Sequence, residues 1–138
     1  MKVTVLIENT SQRNDLTAEH GLSLYIETDT HNILFDTGQS GAFADNAAKL
    51  GIDLTQVDLC ILSHGHYDHG GGLQTFLEVN SGAPVYVSGY AFEPHYSQNG
   101  YIGLEPSLQN SDRMILVSDT TVLAEGITLH RLDKAHRQ

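Results

Sequence analysis

Residues 57–63 form an almost wholly apolar run, broken only by Asp58, and the run ends at once in His64, Gly65, His66, Tyr67, Asp68 and His69. A short continuous apolar run bounded by polar residues fits a strand buried on both faces, which requires a sheet with cover on either side. The histidine-rich segment then leaves from the strand's C-terminal end, where an α/β sheet opens into its ligand crevice. In extended chain, His64 and His66 can turn their imidazoles to one side and share an ion. Asp68 and His69 lie further round and can address a second position a few ångströms away. Imidazole and carboxylate donors together suit zinc, with iron or manganese as alternatives set by geometry and availability. The bland reading is a solvated polar turn, and each histidine taken singly would support it. Their spacing directly after a buried strand favours the metal site.

The neighbouring residues agree with this. Gly65 and the run Gly70, Gly71, Gly72 permit tight, close-packed backbone. The pattern predicts a helix over 73–79, with Leu73, Phe76 and Leu77 inward and its N-terminus aimed at the loop, where it would favour an ionised Asp68. Upstream, residues 2–8, 22–28 and 33–35 read as strands, with 9–21 a polar loop and 29–32 a turn. A helix is expected from about 40 to 50, with Ser40 as N-cap, Phe43, Ala47 and Leu50 on one face, and Gly51 at its stop. Residues 84–88, 113–117, 121–123 and 127–132 read as further strands, with a turn near Glu125 and Gly126. Residues 89–111 carry no clear periodicity. A hairpin start followed by strand–helix alternation makes the class α/β (α+β).

The chain has 138 residues, 40% hydrophobic and 17% charged, which suits a single folded domain over 1–138 rather than disorder. Its formal net charge of −10 repels phosphate backbones and anionic lipid, so neither nucleic acid nor membrane is an expected partner. A bound cation would reverse that sign locally, leaving a small-molecule substrate open, anionic ones included. The single cysteine, Cys60, excludes an internal disulfide and sits in an apolar run as a buried, inert thiol. No stretch reaches the length of a membrane span, and the N-terminus lacks the apolar region of a secretion signal, so a cytoplasmic location is expected.

Asp36 follows Leu34 and Phe35 and precedes Thr37 and Gly38 at another strand end. It fits a residue behind the metal loop that fixes a ligand's orientation, and equally an ordinary turn aspartate. His20, beside Glu19, could border the site or sit at the surface. His31, His130 and His136 default to structural or solvated positions. Tyr90, Tyr96 and Tyr101 could wall a pocket or simply pack.

The segment Ser63-His64-Gly65-His66-Tyr67-Asp68-His69-Gly70-Gly71-Gly72-Leu73, preceded by Ile33-Leu34-Phe35-Asp36-Thr37-Gly38, closely resembles the metallo-β-lactamase superfamily. Glu19-His20-Gly21-Leu22-Ser23 and Tyr101-Ile102-Gly103-Leu104 resemble one branch of it, that of the 7,8-dihydropterin-6-methyl-4-(β-D-ribofuranosyl)aminobenzene-5′-phosphate synthases and related metal-dependent hydrolases. The resemblance implies an αββα sandwich, His64 and His66 on a first metal, Asp68 and His69 on a second, and Asp36 in support of the loop. Asp68 is also the candidate catalytic carboxylate. The implied activity is hydrolysis by a zinc-bound hydroxide of an ester, phosphoester or related small molecule; fold and motif together do not choose the substrate.

Relatives in this superfamily are longer. Their second half completes the sandwich and supplies another histidine to the first metal, an acid that commonly bridges, and a last histidine. Nothing in this chain matches the Gly-Cys-Ser/Ala-His stretch of the branch, and only Ser118, Asp119 and Thr120 faintly resemble the bridging-acid segment of others. The chain therefore reads as the N-terminal half of the fold, with an inert metal-binding or interaction domain as the alternative to an enzyme. A homodimer in which two copies cover each other is the expected substitute for the missing half.

Overall fold

The computed structural model describes residues 1–8, 16, 18, 21–63, 70–88, 96–97, 100–101, 111–117, 121–124 and 127–129. Three strands, β1 (Lys2–Ile7), β2 (Ser23–Glu27) and β3 (Asn32–Phe35), open the fold as an antiparallel meander. Helix α1 (Ala42–Lys49) then crosses to β4 (Leu59–Ile61), which pairs in parallel with β3. Helix α2 (Leu73–Val79) crosses to β5 (Val85–Ser88), parallel to β4. The strand β8 (Met114–Val117) closes a six-stranded mixed sheet in the order β1-β2-β3-β4-β5-β8. Between β5 and β8 lies the short pair β6 (Tyr96–Ser97) and β7 (Gly100–Tyr101). A second hairpin, β9 (Thr121–Ala124) with β10 (Ile127–Leu129), follows β8.

The alternation of side chains along each strand sorts the core into two clusters. Leu6, Tyr25, Leu34, Cys60, Leu62, Val85 and Val87 point to the face that carries both helices, where they meet Phe43 and Ala47 of α1 and Leu73 and Phe76 of α2. Burying each such large apolar side chain is worth roughly 1.5–3 kcal/mol. Ile33, Leu59 and Ile61 form the second cluster on the opposite face, flanked by Ile26, Phe35 and Tyr86. At the rims of that face Val3, Val5 and Ile115 stay 49%, 43% and 41% exposed.

Several local expectations shift. The strand expected over 57–63 contracts to Leu59–Ile61, and a 3₁₀ turn, Leu54–Gln56, leads into it. Asp53 builds that turn by accepting hydrogen bonds from the Thr55 N–H (3.0 Å) and hydroxyl (2.6 Å). Helix α1 takes Gly41 rather than Ser40 as its N-cap, although the Ser40 hydroxyl still accepts from the Ala42 N–H at 3.2 Å. Its inner face includes Asn46, a buried amide that donates to the Leu6 carbonyl at 2.8 Å and so ties α1 to β1. The chain leaves α1 through Gly51 at φ 76°. Helix α2 has the expected bounds and inner residues. Among the described residues, no helix is long and apolar enough to cross a membrane.

Candidate metal centre

The site is best built from the turn at the end of β3. Asp36 is buried and holds φ 59°, a left-handed conformation that aspartate tolerates better than most residues at a cost of about 1 kcal/mol. Three sets of bonds keep it there. Its N–H donates to the Ile61 carbonyl of β4 (2.9 Å), and its own carbonyl accepts from the Ser23 hydroxyl of β2 (2.7 Å). Its carboxylate takes both donors of Ser63: the N–H on Oδ1 at 2.7 Å and the hydroxyl on Oδ2 at 2.6 Å. Ser63 is the residue immediately before His64. The two-point grip is charge-assisted and short, the strong kind of hydrogen bond.

The next two residues hold the far end of the same segment. Gly38, at φ 68°, forms an isolated parallel bridge with Gly70, and its N–H donates to the Leu22 carbonyl at 2.8 Å. The Gly72 N–H is shared between the buried Thr37 hydroxyl (3.0 Å) and the Gly38 carbonyl (3.1 Å). No side chain fits at Gly72: a Cβ there would lie 2.4 Å from the Ser40 carbonyl oxygen, 2.6 Å from that of Thr37 and 2.8 Å from the Phe43 ring. Residues 36–38 thus hold Ser63 at one end of the 64–69 segment and Gly70 and Gly72 at the other. The Gly72 N–H at the start of α2 is committed to this turn, while Asp68, whose carboxylate the helix N-terminus was expected to favour, lies outside the described residues.

The expected ligands His64, His66, Asp68 and His69 lie outside the described residues, as do His20, His130, His136 and the side chains of Tyr90, Tyr96 and Tyr101. His31 is placed, in the β2–β3 turn, with Nδ1 2.8 Å from the Thr30 hydroxyl. Behind the turn, Cys60 is fully buried. Burial first and the nearby Asp36 charge second push its thiol far above the ordinary value, against a smaller opposing pull from Arg113. A buried thiol of low reactivity is what the sequence led one to expect. Sequence reasoning missed the parts played by Ser63, Thr37 and Gly72. The available signal was their position, hydroxyls and glycine flanking the two strand ends that the motif joins.

A family model described as Metallo-beta-lactamase superfamily matches residues 16–136. The chain is 30% identical over 133 residues to the uncharacterized protein MJ0448 of Methanocaldococcus jannaschii, covering 96% of this chain and 50% of that protein. It is also 30% identical over 143 residues to the 7,8-dihydropterin-6-methyl-4-(beta-D-ribofuranosyl)-aminobenzene-5'-phosphate synthase of the same organism, covering 92% of this chain and 49% of that one. The crystal structure of Tm1679, described as a metal-dependent hydrolase of the beta-lactamase superfamily, superposes with a TM-score of 0.76 at 34% identity, over 93% of this chain and 46% of its own. The chain thus spans about half the length of the curated relatives it matches. A mixed sheet with two helices on one face and this partial coverage fit the expected N-terminal half of the fold. With the family model spanning most of the sequence and the strand-end turn of the motif formed, this chain belongs to the metallo-β-lactamase superfamily.

Proposed function

We propose that this chain holds one or two divalent cations, zinc foremost and iron or manganese as alternatives, through His64, His66, Asp68 and His69. The site belongs to a hydrolase acting on an ester, a phosphoester or a related small molecule. The observation that carries this reading is the grip of residues 36–38 on Ser63 and on Gly70 and Gly72, which holds both ends of the donor-bearing segment. Three imidazoles and one carboxylate are a donor set that fits zinc. A segment anchored at both ends loses less conformational entropy when it closes on an ion. A bound cation would supply a Lewis acid and lower the pKa of coordinated water to about 7.

The chain's own residues do the rest. Asp36 fixes the direction in which the backbone leaves Ser63 for His64. Thr37 and Gly38 fix where it returns after His69. Asp68 has a carboxylate able to accept a proton beside the cation. Metal analysis after exhaustive dialysis tests the assignment: wild type is expected to retain zinc and His66→Ala to lose it. Equal, null metal content in both would overturn it.

The half-length match favours a second reading, a metal-binding or interaction domain without turnover. Zinc-loaded chain assayed on lactone, thioester and phosphodiester substrates separates the two. Retained zinc with no hydrolysis above a zinc-buffer blank selects the second reading.

A further inference from the structure

Helix α2 has seven residues, too few to persist in isolation. It is held at both ends, and the anchor at its C-terminus is a charged side chain that no metal motif contains. Arg113 lies just before β8 and reaches across to the end of α2. Its Nη1 donates to the Leu77 carbonyl at 3.1 Å and also to the Asn80 carbonyl, its Nη2 donates to Asn80 Oδ1 at 3.0 Å, and its Nε donates to the Ala83 carbonyl at 2.9 Å. The guanidinium sits 5.6 Å from the centre of the Phe76 ring, within cation–π range. Among the described residues it pairs with no carboxylate. Its charge meets the negative end of the helix instead, on the Leu77 carbonyl of the last turn and on the Asn80 and Ala83 carbonyls just beyond it. Asn80, itself buried, completes the joint. It donates to the Leu54 and Val57 carbonyls and accepts from the Gly82 and Ala83 amides.

We infer that Arg113 is a positioning residue for the metal loop, acting through α2. The helix is a short rigid rod between two clamps: Arg113 and Asn80 at one end, Thr37, Gly38 and the crowded Gly72 at the other. Gly72 has no spare room, so an axial or rolling shift of α2 is transmitted to the Gly70–Gly72 stretch and hence to His69. Arg113 is suited to this task because its planar fork engages carbonyls of Leu77, Asn80 and Ala83 at once, which lysine cannot do. Its link to metal binding rests on the proposed ligand assignment, but its link to the loop's anchor does not.

The test uses Arg113→Met and Arg113→Lys in the full chain, beside Ile33→Ala, a core truncation in the cluster on the opposite sheet face. Amide exchange on metal-free protein reads the anchor. Arg113→Met is expected to lower protection of the Gly72 and Leu73 amides by about tenfold more than Ile33→Ala at matched global stability, with Arg113→Lys in between. Cobalt titration reads the loop: apparent affinity is expected to fall roughly 10-fold or more in Arg113→Met, with an altered ligand-field spectrum, and to stay unchanged in Ile33→Ala. Uniform loss of protection in Arg113→Met, with wild-type cobalt spectrum and affinity, would overturn the inference and leave Arg113 a plain stabiliser. Failure of wild type itself to bind cobalt would instead overturn the ligand assignment, while the exchange comparison still decides the role of Arg113. Where Arg113→Met does not fold, Arg113→Lys supplies both readings.

Discussion

Replacing Asp36 by alanine would remove the two carboxylate oxygens that accept from Ser63 and place alanine at φ 59°, a conformation it accepts poorly. Hydrogen bonds to a charged acceptor contribute about 1.5–3 kcal/mol, so the expected loss of stability for Asp36→Ala is roughly 3 kcal/mol. Asp36→Asn keeps the shape, one acceptor and a donor that the Ser63 hydroxyl can meet, and should lose distinctly less. Urea denaturation checks both. A loss under about 0.5 kcal/mol for the alanine variant would reduce Asp36 to the ordinary turn residue that spacing alone allowed. The same scale explains the quiet cysteine: a thiol buried against the Asp36 charge resists ionisation and hence reaction.

At the scale of elements, the decisive contact is between the start of α2 and the segment joining β3 to α1. Gly72→Ala drives a Cβ into two backbone carbonyl oxygens that have no rotamer to escape by. Overpacking of this kind costs about 1–3 kcal/mol, whereas Gly82→Ala, with no atom within 4 Å of the new Cβ, should be neutral. Thermal or urea midpoints of the pair compare them directly, and equal midpoints would remove the argument for tight seating. Much of this layer was legible in the sequence. β-Branched and apolar composition marked β1, period-two alternation marked β2, an apolar triplet after a turn marked β3, and the longer apolar run marked β4. The spacing of Phe43 with Ala47 marked α1, and that of Leu73 with Phe76 marked α2. Local patterns could not reveal bonds between distant segments. Asn46 to Leu6, Asn80 to Leu54 and Arg113 to Leu77 all bury polar groups whose partners are set only by the folded sheet. The 3₁₀ turn before β4 was missed because Asp53 and Thr55 build it from side-chain bonds rather than from periodicity. In the site, residue types nominate the candidate ligands, which lie outside the described residues, while the holding roles of Ser63, Thr37 and Gly72 emerge from the folded contacts.

For the whole molecule, the sheet face bearing Ile33, Leu59 and Ile61 ends at exposed Val3, Val5 and Ile115, and the chain spans half the length of its relatives. We propose a second copy of the chain as the cover seated on those rims. With a net charge of −10 on each chain, self-association should tighten as salt screens the repulsion. Sedimentation velocity at low salt and at about 0.5 M salt reads this, and a monomer at every concentration in both would remove the case for pairing. The clasp at residues 36–38 has one more implication. It takes hold of both flanks of the 64–69 segment, through Ser63 on one side and through main-chain atoms of Gly70 and Gly72 on the other. With both flanks tied to one short turn, the gap that the six positions from 64 to 69 must bridge is set by the scaffold, so inserting or deleting a residue there should disrupt the site more than exchanging one side chain for another of similar size.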